Sequence, residues 1–283
     1  IHGHAHEEIL AAGLTPTLYE IGEAEAFSQV CRGRAVDVHL KVDTGMGRLG
    51  VPMSKLEPFL AALRRYPSIR IAGLMSHLST ADEDPEYVCE QLSQFKRAEG
   101  LVRRYGHRPA VRHVANSAAV FRHPEAHFDW VRPGIALYGY AGADGLRVPL
   151  QPTMRWGTQI IRLRTLQAGE SVGYGRSFVA QGETHLATIP LGYGDGLLRA
   201  ASNRAEVLVG GRRCPVVGNV SMDLTTIDVS SVPDVGLGDE VLLLGKQGHA
   251  ALSIEDLARA ARTIPYEVLT NVSRRVPRTY SND

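Results

Sequence analysis

Lysine is scarce in this 283-residue sequence: of 31 lysines and arginines, only four are lysines, at positions 41, 55, 96 and 246. A chemistry that needs a lysine amine therefore has four candidate residues. Neither sign of charge is in excess, and the formal net charge is +1. This balance gives no electrostatic argument for nucleic acid or a membrane surface as a partner.

Cysteines are few, and long apolar runs are absent. Cys31, Cys89 and Cys214 are odd in number and widely spaced, which indicates neither a disulfide framework nor a zinc site. There is no signal peptide and no apolar run of about 18 residues, so we expect a protein of the reducing cytoplasm. Histidines alternate at positions 2, 4 and 6, but three ligands without an ordered frame seldom form a metal site, and no metal is predicted.

The first half of the sequence alternates short apolar segments with longer segments of helical periodicity. Predicted strands occupy 15–22, 35–43, 69–78, 111–120 and 130–139, and predicted helices occupy 54–66 and 83–106. This alternation indicates parallel strands joined by right-handed crossovers. In a parallel barrel, the chemistry gathers where the strands end, and several of these strands end in polar residues.

The pattern changes after about Gly142. Segments become short and β-branched, are separated by Gly, Pro, Asn and Asp, and include one clear helix, SIEDLARAARTI. This pattern predicts a mostly antiparallel β domain. We therefore expect an α/β domain over residues 1–142 and a β domain over residues 143–283.

The segment DTGMGRLGV places Gly45, Gly47 and Gly50 at the G-x-G-x-x-G spacing of a dinucleotide-binding turn. That motif also requires an acidic residue about 20 positions later to hold a ribose, and the next predicted strand contains none and ends near His77. Arg48, inside the run, would also crowd a pyrophosphate. Two other interpretations remain open: a turn whose glycines supply positive φ, or a loop whose charged residues carry the chemistry.

Six segments in sequence order are more specific than the glycine spacing. They are LKVDTGMGRLGV, HVANSAAVF, WVRPGIALYGY, VGYGRSF, TIPLGYGDGLLR and VGNVSMDLTTIDV. Together they resemble the alanine racemase family, and the resemblance extends from near residue 1 to RRVPRTY at the end. It implies a pyridoxal 5'-phosphate (PLP) enzyme of α/β plus β class, a (β/α)8 TIM-type barrel followed by a mostly antiparallel β domain.

The resemblance implies racemisation of L-alanine to D-alanine by two bases, with PLP as the electron sink. Tyr174 matches the base that acts in the partner subunit's site, which implies a homodimer. Because the ordinary pKa of tyrosine is near 10, neighbouring cations must help it to ionise. Met222 matches the residue whose backbone meets the substrate carboxylate across the dimer, and Tyr193 and Asp223 match residues at the entrance.

Arg132 matches the family's arginine at the pyridine nitrogen of PLP. A permanently charged guanidinium there disfavours protonation of that nitrogen, which weakens the electron sink and limits side reactions. Decarboxylases with the same barrel use an acid instead, so the arginine favours a racemase. The other cofactor-binding residues implied by the family are His77 beside the ring and next to Arg132, Asn116 and Ser117 at the phosphate, and the backbone N–H groups of Gly134 and Ile135.

The resemblance also assigns the charged residues of the glycine loop. Arg48 matches the arginine that contacts the phenolic oxygen of the cofactor and the substrate carboxylate. Lys41 matches a lysine that many members carry as a carbamate, a negative group that orients the arginine. A bare ammonium beside Arg48 would be repelled, so carbamylation of Lys41 is predicted.

One expected residue has no match, namely the lysine to which the family attaches PLP. It lies in a VKANAYGHG-like segment on the first barrel strand, whereas Lys41 is already assigned, Lys55 and Lys96 lie in predicted helices, and Lys246 lies in a predicted hairpin loop. From the motif order we expect an N-terminally truncated barrel that lacks its first three strands, which neither folds stably nor racemises alanine alone. Arg274 stands where some members have a phosphate-contacting tyrosine, and either a phosphate contact or a solvent-exposed position is open.

Other functions of the same fold remain open. A racemase for serine or for several amino acids would share these segments. A PLP-binding protein without catalysis would explain the missing lysine, but small proteins of that kind lack the β domain. A biosynthetic alanine racemase supplies D-alanine for cell-wall peptidoglycan, and this is the role expected here.

Overall fold

The computed structural model describes residues 5–142 and 148–281. The chain divides into two compact units, Ile1–Gln151 and Pro152–Asp283. Residues 143–147 lie outside the described part, and with them the start of the predicted β domain, so the boundary at 142/143 stays a prediction. The histidines at positions 2 and 4 also lie outside it. His6 lies inside it, and its Nε2 is 3.2 Å from Glu23 Oε2.

The first unit is a parallel sheet covered by helices. Its strands are β1 Thr17–Leu18, β2 Val36–Asp43, β3 Val51–Pro52, β4 Ile69–Met75 and β5 Val111–His113, and its helices are α1 Ala5–Ala11, α2 Ile21–Val30, α3 Met53–Leu63, α4 Pro85–Arg104 and α5 Ser117–Arg122. The strand order is β1-β2-β4-β5, with β3 paired to β2, and all pairings are parallel. The predicted parallel α/β half is confirmed.

Strand β2 shows how the sequence builds this sheet. Its side chains alternate between fully buried apolar residues and half-buried polar ones. The apolar set joins the core with residues of α2, α3 and α4. Because successive side chains of a strand point to opposite faces, Asp37, His39, Lys41 and Asp43 share the other face. The sequence VDVHLKVD therefore packs the apolar face of β2 against the helices and places the polar side chains on the opposite face.

Helix α4 is fixed at its start by local sequence. The Asp84 side chain accepts hydrogen bonds from the backbone N–H groups of Glu86 and Tyr87, and Pro85 occupies the first helical position. Arg103 and Arg104 in the last turn complement the helix dipole. Buried residues along one face, including Leu92 and Phe95, anchor the helix on the sheet.

Several strand predictions were wrong in detail. Segment 15–22 contains only the two-residue strand β1, and α2 begins inside it at Ile21, while the strand predicted at 69–78 ends at Met75. Segment 130–139 is not a strand: Trp130 makes one parallel bridge to His113, and a 3₁₀ helix follows at Ile135–Tyr138. Pro133 has no N–H to continue the pairing. In segment 111–120 the strand ends at His113, because the Asn116 side chain accepts from Ala119 N and starts α5.

The second unit consists mainly of antiparallel sheets. Its strands are β6 Trp156–Gln159, β7 Arg162–Leu166, β8 Ser171–Val172, β9 Phe178–Val179, β10 Thr184–Ile189, β11 Glu206–Val209, β12 Arg212–Pro215, β13 Thr225–Asp228, β14 Glu240–Gln247 and β15 Ala250–Leu252, and its helices are α6 Ile254–Ala261 and α7 Pro265–Asn271. The sheets have the orders β13-β10-β7, β12-β11-β14-β15 with β6 on β14, and β8-β9.

The antiparallel prediction for the second half is confirmed, with two differences in detail. The predicted helix is α6, which begins with a capping box between Ser253 and Asp256. A further helix, α7, follows, because Pro265 suits the first position of a helix as well as the end of one. Lys246 lies in β14, paired with Ala251, and not in the hairpin loop.

In the part of the chain that the structure describes, no helix has the length and apolar character that a membrane crossing requires. The same residues contain no group of three His, Cys, Asp or Glu side chains arranged to hold a metal ion.

Candidate functional site

The parallel sheet brings its polar residues together at one edge. Lys41 and Asp43 lie at the end of β2, Ser76 and His77 follow β4, and His113 ends β5. The register pairs Lys41 with Met75 and Met75 with His113, so these ends are level with one another. Carboxyl ends of parallel strands are where α/β proteins place ligands.

Arg132 connects several residues at this edge through hydrogen bonds. Its Nη1 donates to His113 Nδ1 at 2.7 Å and to His113 O at 2.9 Å. Its Nη2 donates to the carbonyl oxygens of Ser76 at 2.8 Å and Val114 at 3.2 Å, and lies 3.3 Å from His77 Nδ1. A guanidinium has five N–H donors. Within the described residues the Nε–H has no hydrogen-bond partner and no carboxylate forms an ion pair with Arg132.

The guanidinium fixes the tautomers of two histidines. Because Arg132 can only donate, Nδ1 of both His113 and His77 must accept, and each ring carries its proton on Nε2. His113 Nε2 then donates to His39 Nδ1 at 2.8 Å. Burial first, and then Arg132, lower the pKa of His113 and of His77 to about 4. Both rings are therefore neutral at pH 7.

Ser117 links the start of α5 to the segment after Arg132. Ser117 Oγ accepts from Gly134 N at 2.8 Å and Ala136 N at 3.2 Å, so its hydroxyl hydrogen is left to donate. A Cβ built on Gly134 would meet only Ser117 Oγ, at 4.0 Å, so the space above this glycine is open. Asn116 caps α5 through Ala119 N. The side chain of Ile135 is buried.

The glycine loop is a turn built around Asp43. The Asp43 carboxylate accepts from Gly45 N at 3.0 Å and from Gly47 N at 3.1 Å. All three glycines have positive φ, at 135°, 71° and 126° for Gly45, Gly47 and Gly50. A Cβ at Gly50 would lie 2.7 Å from Asp43 N. The loop therefore needs its glycines for conformation, as the interpretation as a positive-φ turn predicted.

Arg48 of this loop repels Lys41, which lies near the end of β2. The pKa of Lys41 is lowered by burial, by Arg48 and by Arg132, and only Asp43 opposes the shift. Arg48 is exposed. A lysine with a lowered pKa is more often a neutral amine, which is the form that reacts with CO₂ or a carbonyl. The other lysines, at positions 55, 96 and 246, are exposed on α3, α4 and β14.

Tyr174 belongs to the second unit. It lies in a 3₁₀ turn, Tyr174–Arg176, between the paired strands β8 and β9, and is 73% exposed. Gly173 and Gly175 flank it with φ of 78° and 71°. Asn219 Nδ2 donates to Tyr174 O at 2.6 Å. The backbone is therefore held while the phenol projects outward, which differs from a packed core tyrosine.

Two loops of the second unit hold Tyr193, Met222 and Asp223. Tyr193 N donates to Ser221 O at 3.0 Å, and Gly194 N donates to Met222 O at 2.9 Å. Arg275 donates to Asp223 Oδ1 at 2.6 Å and to Asp195 Oδ1 at 2.9 Å. The side chains of Tyr193, Met222 and Asp223 are each exposed. Arg274 is exposed as well, with no hydrogen bond to a described residue.

Sequence reasoning missed three residues of the first-unit site, namely His39, His113 and Gln91. The alternation of VDVHLKVD puts His39 on the same face as Lys41, which was an available signal. His113 stands three residues before Asn116 and marks the end of β5. Gln91 lies inside α4 and is 1% exposed, and no local pattern distinguishes it from other glutamines.

Comparison with known proteins adds independent evidence. A family model described as the alanine racemase N-terminal domain matches residues 1–142, and one for the C-terminal domain matches residues 153–280. The alanine racemase of Sorangium cellulosum is 47% identical over 97% of this chain and 74% of its own length. That of Symbiobacterium thermophilum is 42% identical over 98% of this chain and 75% of its own length.

Solved structures agree with these matches. The alanine racemase of Streptomyces coelicolor A3(2) has a TM-score of 0.93 and 34% identity, covering 100% of this chain and 76% of that one. The biosynthetic alanine racemase of Pseudomonas aeruginosa has a TM-score of 0.86 and 39% identity, covering 99% of this chain and 77% of that one. Since both halves of the sequence match in order, this chain belongs to the alanine racemase family.

Proposed function

We propose that this protein racemises alanine with PLP, interconverting the L and D forms and supplying D-alanine for cell-wall peptidoglycan. The observation that carries the proposal is Arg132, a partly buried guanidinium whose Nε–H is unpaired within the described residues. An aromatic nitrogen that accepts a hydrogen bond without being protonated fits this donor. The family supports the same activity, because its members use PLP and the relatives described above are named alanine racemases.

The described residues fit PLP at both of its ends. Arg132 would donate to the ring nitrogen, and His77 would lie beside the ring. The Ser117 hydroxyl, with Asn116 and the N–H of Ile135, would hold the phosphate in the open space above Gly134, whose own N–H donates to Ser117 Oγ and not to the phosphate. When bound, PLP supplies an electron sink for the α-carbon of the amino acid.

Proton transfer requires a group on each face of the substrate. Tyr174 is the group that this chain supplies, and it acts in the site of a second subunit in a homodimer. Its exposure on a turn with a fixed backbone supports such a role. Met222, Tyr193 and Asp223 accompany it, with Met222 toward the substrate carboxylate and the others at the entrance. The parallel sheet is part of a (β/α)8 barrel in this proposal.

Substrate orientation falls to Arg48, which takes the substrate carboxylate and the phenolic oxygen of the cofactor. We propose that Lys41 is carbamylated, which turns a repulsive neighbour of Arg48 into an attractive one. The lowered pKa of Lys41 supports this modification. After equilibration with ¹³C-bicarbonate we expect one carbamate carbon signal in the NMR spectrum, absent in Lys41→Ala and retained in the exposed-lysine control Lys55→Ala. A spectrum without that signal in the unmodified protein would contradict the modification.

The activity is tested on the protein expressed from its native gene, with PLP, by measuring D-alanine formed from L-alanine. We expect alanine to turn over faster than serine, which separates an alanine racemase from a serine or broad-specificity one. The absence of any racemisation, with PLP bound, would favour a PLP-binding protein without catalysis.

Borohydride reduction and peptide mapping test the position of the cofactor. We expect no pyridoxyl group on Lys41, Lys55, Lys96 or Lys246, because the last three are exposed on α3, α4 and β14 and the Lys41 amine is taken by the proposed carbamate. For the same reason we expect residues 1–283 expressed alone to show no turnover. Turnover by that chain, or a pyridoxyl adduct at one of its four lysines, would refute this part of the proposal.

A further inference from the structure

Gln91 joins the ends of two strands from the outside of the sheet. Its side chain is on α4 and is 1% exposed. Its Nε2 donates to His77 O at 3.1 Å and to Thr44 Oγ1 at 3.4 Å. Its Oε1 accepts from Ser79 N at 2.9 Å and from Ser79 Oγ at 3.1 Å. Both donor hydrogens and both acceptor positions of the amide are therefore used.

The partners of Gln91 determine how its amide is oriented. A carbonyl such as His77 O can only accept, and a backbone N–H such as that of Ser79 can only donate. The side-chain nitrogen must therefore face His77 and the oxygen must face Ser79. Thr44 extends the network, since its Oγ1 lies 2.7 Å from Ser76 Oγ, and both hydroxyls are buried.

These contacts hold the segments that carry two proposed cofactor residues. Thr44 follows Asp43 and opens the glycine loop that carries Arg48, while His77 follows β4. Tyr87, one helical turn before Gln91, adds a contact from its hydroxyl to Gly45 O at 3.1 Å. One face of α4 thus contacts the glycine loop and the end of β4 together.

We propose that Gln91 is a positioning residue that sets the glycine loop with Arg48 against His77, and so determines how tightly PLP binds. The inference rests on the proposed function, in which both residues face the cofactor. A buried amide with four satisfied hydrogen bonds has a single arrangement, because moving it leaves buried polar groups without partners. Removing it frees the glycine loop, whose Arg48 is repelled by Lys41 on β2, and the segment after β4 that carries His77.

The test compares Gln91→Met, which keeps the volume and removes the amide, with the control Gln94→Met on the same helix. Gln94 is half-buried, and its side chain hydrogen-bonds only to Arg97 among the described residues. We expect Gln91→Met to weaken PLP binding about tenfold by fluorescence titration, and the control to leave it unchanged. In the cofactor-free protein, NMR titration should show the pKa of His77 rising from about 4 toward its ordinary value in Gln91→Met only.

A folded Gln91→Met protein with unchanged PLP affinity and unchanged His77 titration would overturn the proposal. If that variant does not fold, Thr44→Val decides, since it removes one partner of the network. An affinity loss of about threefold is expected there, and no loss would refute the role. If the unsubstituted protein does not bind PLP, the proposed function fails, while the titration of His77 still tests Gln91.

Discussion

Replacing Tyr174 with phenylalanine is expected to lower kcat for alanine racemisation about 10³-fold in the protein expressed from its native gene. The substitution removes one hydroxyl, and in a two-base mechanism it removes the proton-transfer group on one face of the substrate. A positioned acid or base contributes roughly 10² to 10⁴ in rate. The phenol is exposed and its ring is retained, so folding and PLP affinity should not change.

Hydrogen exchange gives a sharper measurement of the same substitution. In D₂O, Tyr174→Phe should still exchange the α-proton of one alanine enantiomer, through the remaining base, and should stop exchanging that of the other. Tyr280→Phe is the matched control, because Tyr280 is in the same unit and is 92% exposed. Full racemisation by Tyr174→Phe, or equal losses for the two enantiomers, would exclude Tyr174 as one of two bases.

Replacing Arg132 with methionine is expected to destabilise the fold by about 3 kcal/mol and to abolish PLP binding at micromolar concentration. Three backbone carbonyls and two imidazole nitrogens would lose their donor. Each buried acceptor left unpaired costs about 1–3 kcal/mol, and some would find water. Chemical denaturation measures the effect. Arg70→Met is the control, since Arg70 is exposed and pairs with Asp37 at the surface.

The pH dependence of stability provides a second measurement of the Arg132 substitution. In the unsubstituted protein, His77 and His113 have a pKa of about 4, below the ordinary 6.5, so the unfolded state binds more protons between these values. The contribution of these two histidines to the free energy of unfolding is therefore fully present above pH 6.5 and is lost as the pH drops toward 4. Without the guanidinium, both pKa values should rise toward 6.5, although burial still lowers them. The loss of stability between pH 6.5 and pH 4 should therefore become smaller. An unchanged slope would contradict the role assigned to Arg132.

The order and type of the main elements followed from the sequence to a large extent. Strand β2 was predicted at 35–43 and found at Val36–Asp43, and α4 was predicted at 83–106 and found at Pro85–Arg104. Both have strong local patterns, strict alternation in one and a long amphipathic face in the other. The strand prediction for 130–139 was wrong. The apolar residues of this segment are typical of a strand, but Pro133 and the contacts of Arg132 to neighbouring strands prevent one from forming.

The sequence by itself determined the family, the parallel-then-antiparallel order of the chain, and the identities of Arg132, Ser117 and Tyr174 as candidates, because these lie in contiguous segments. Only the tertiary structure decided that His39, 74 residues from His113, hydrogen-bonds to it, and that His113 hydrogen-bonds to Arg132. It also decided that Gln91 on α4 hydrogen-bonds to residues that follow the ends of β2 and β4. Strand register and helix packing create these contacts from residues distant in the chain, and no local pattern encodes register. The glycine loop belongs to the local level alone: its spacing is visible in the sequence, and its turn is held by the Asp43 carboxylate, which accepts from Gly45 and Gly47 only two and four residues further along the chain.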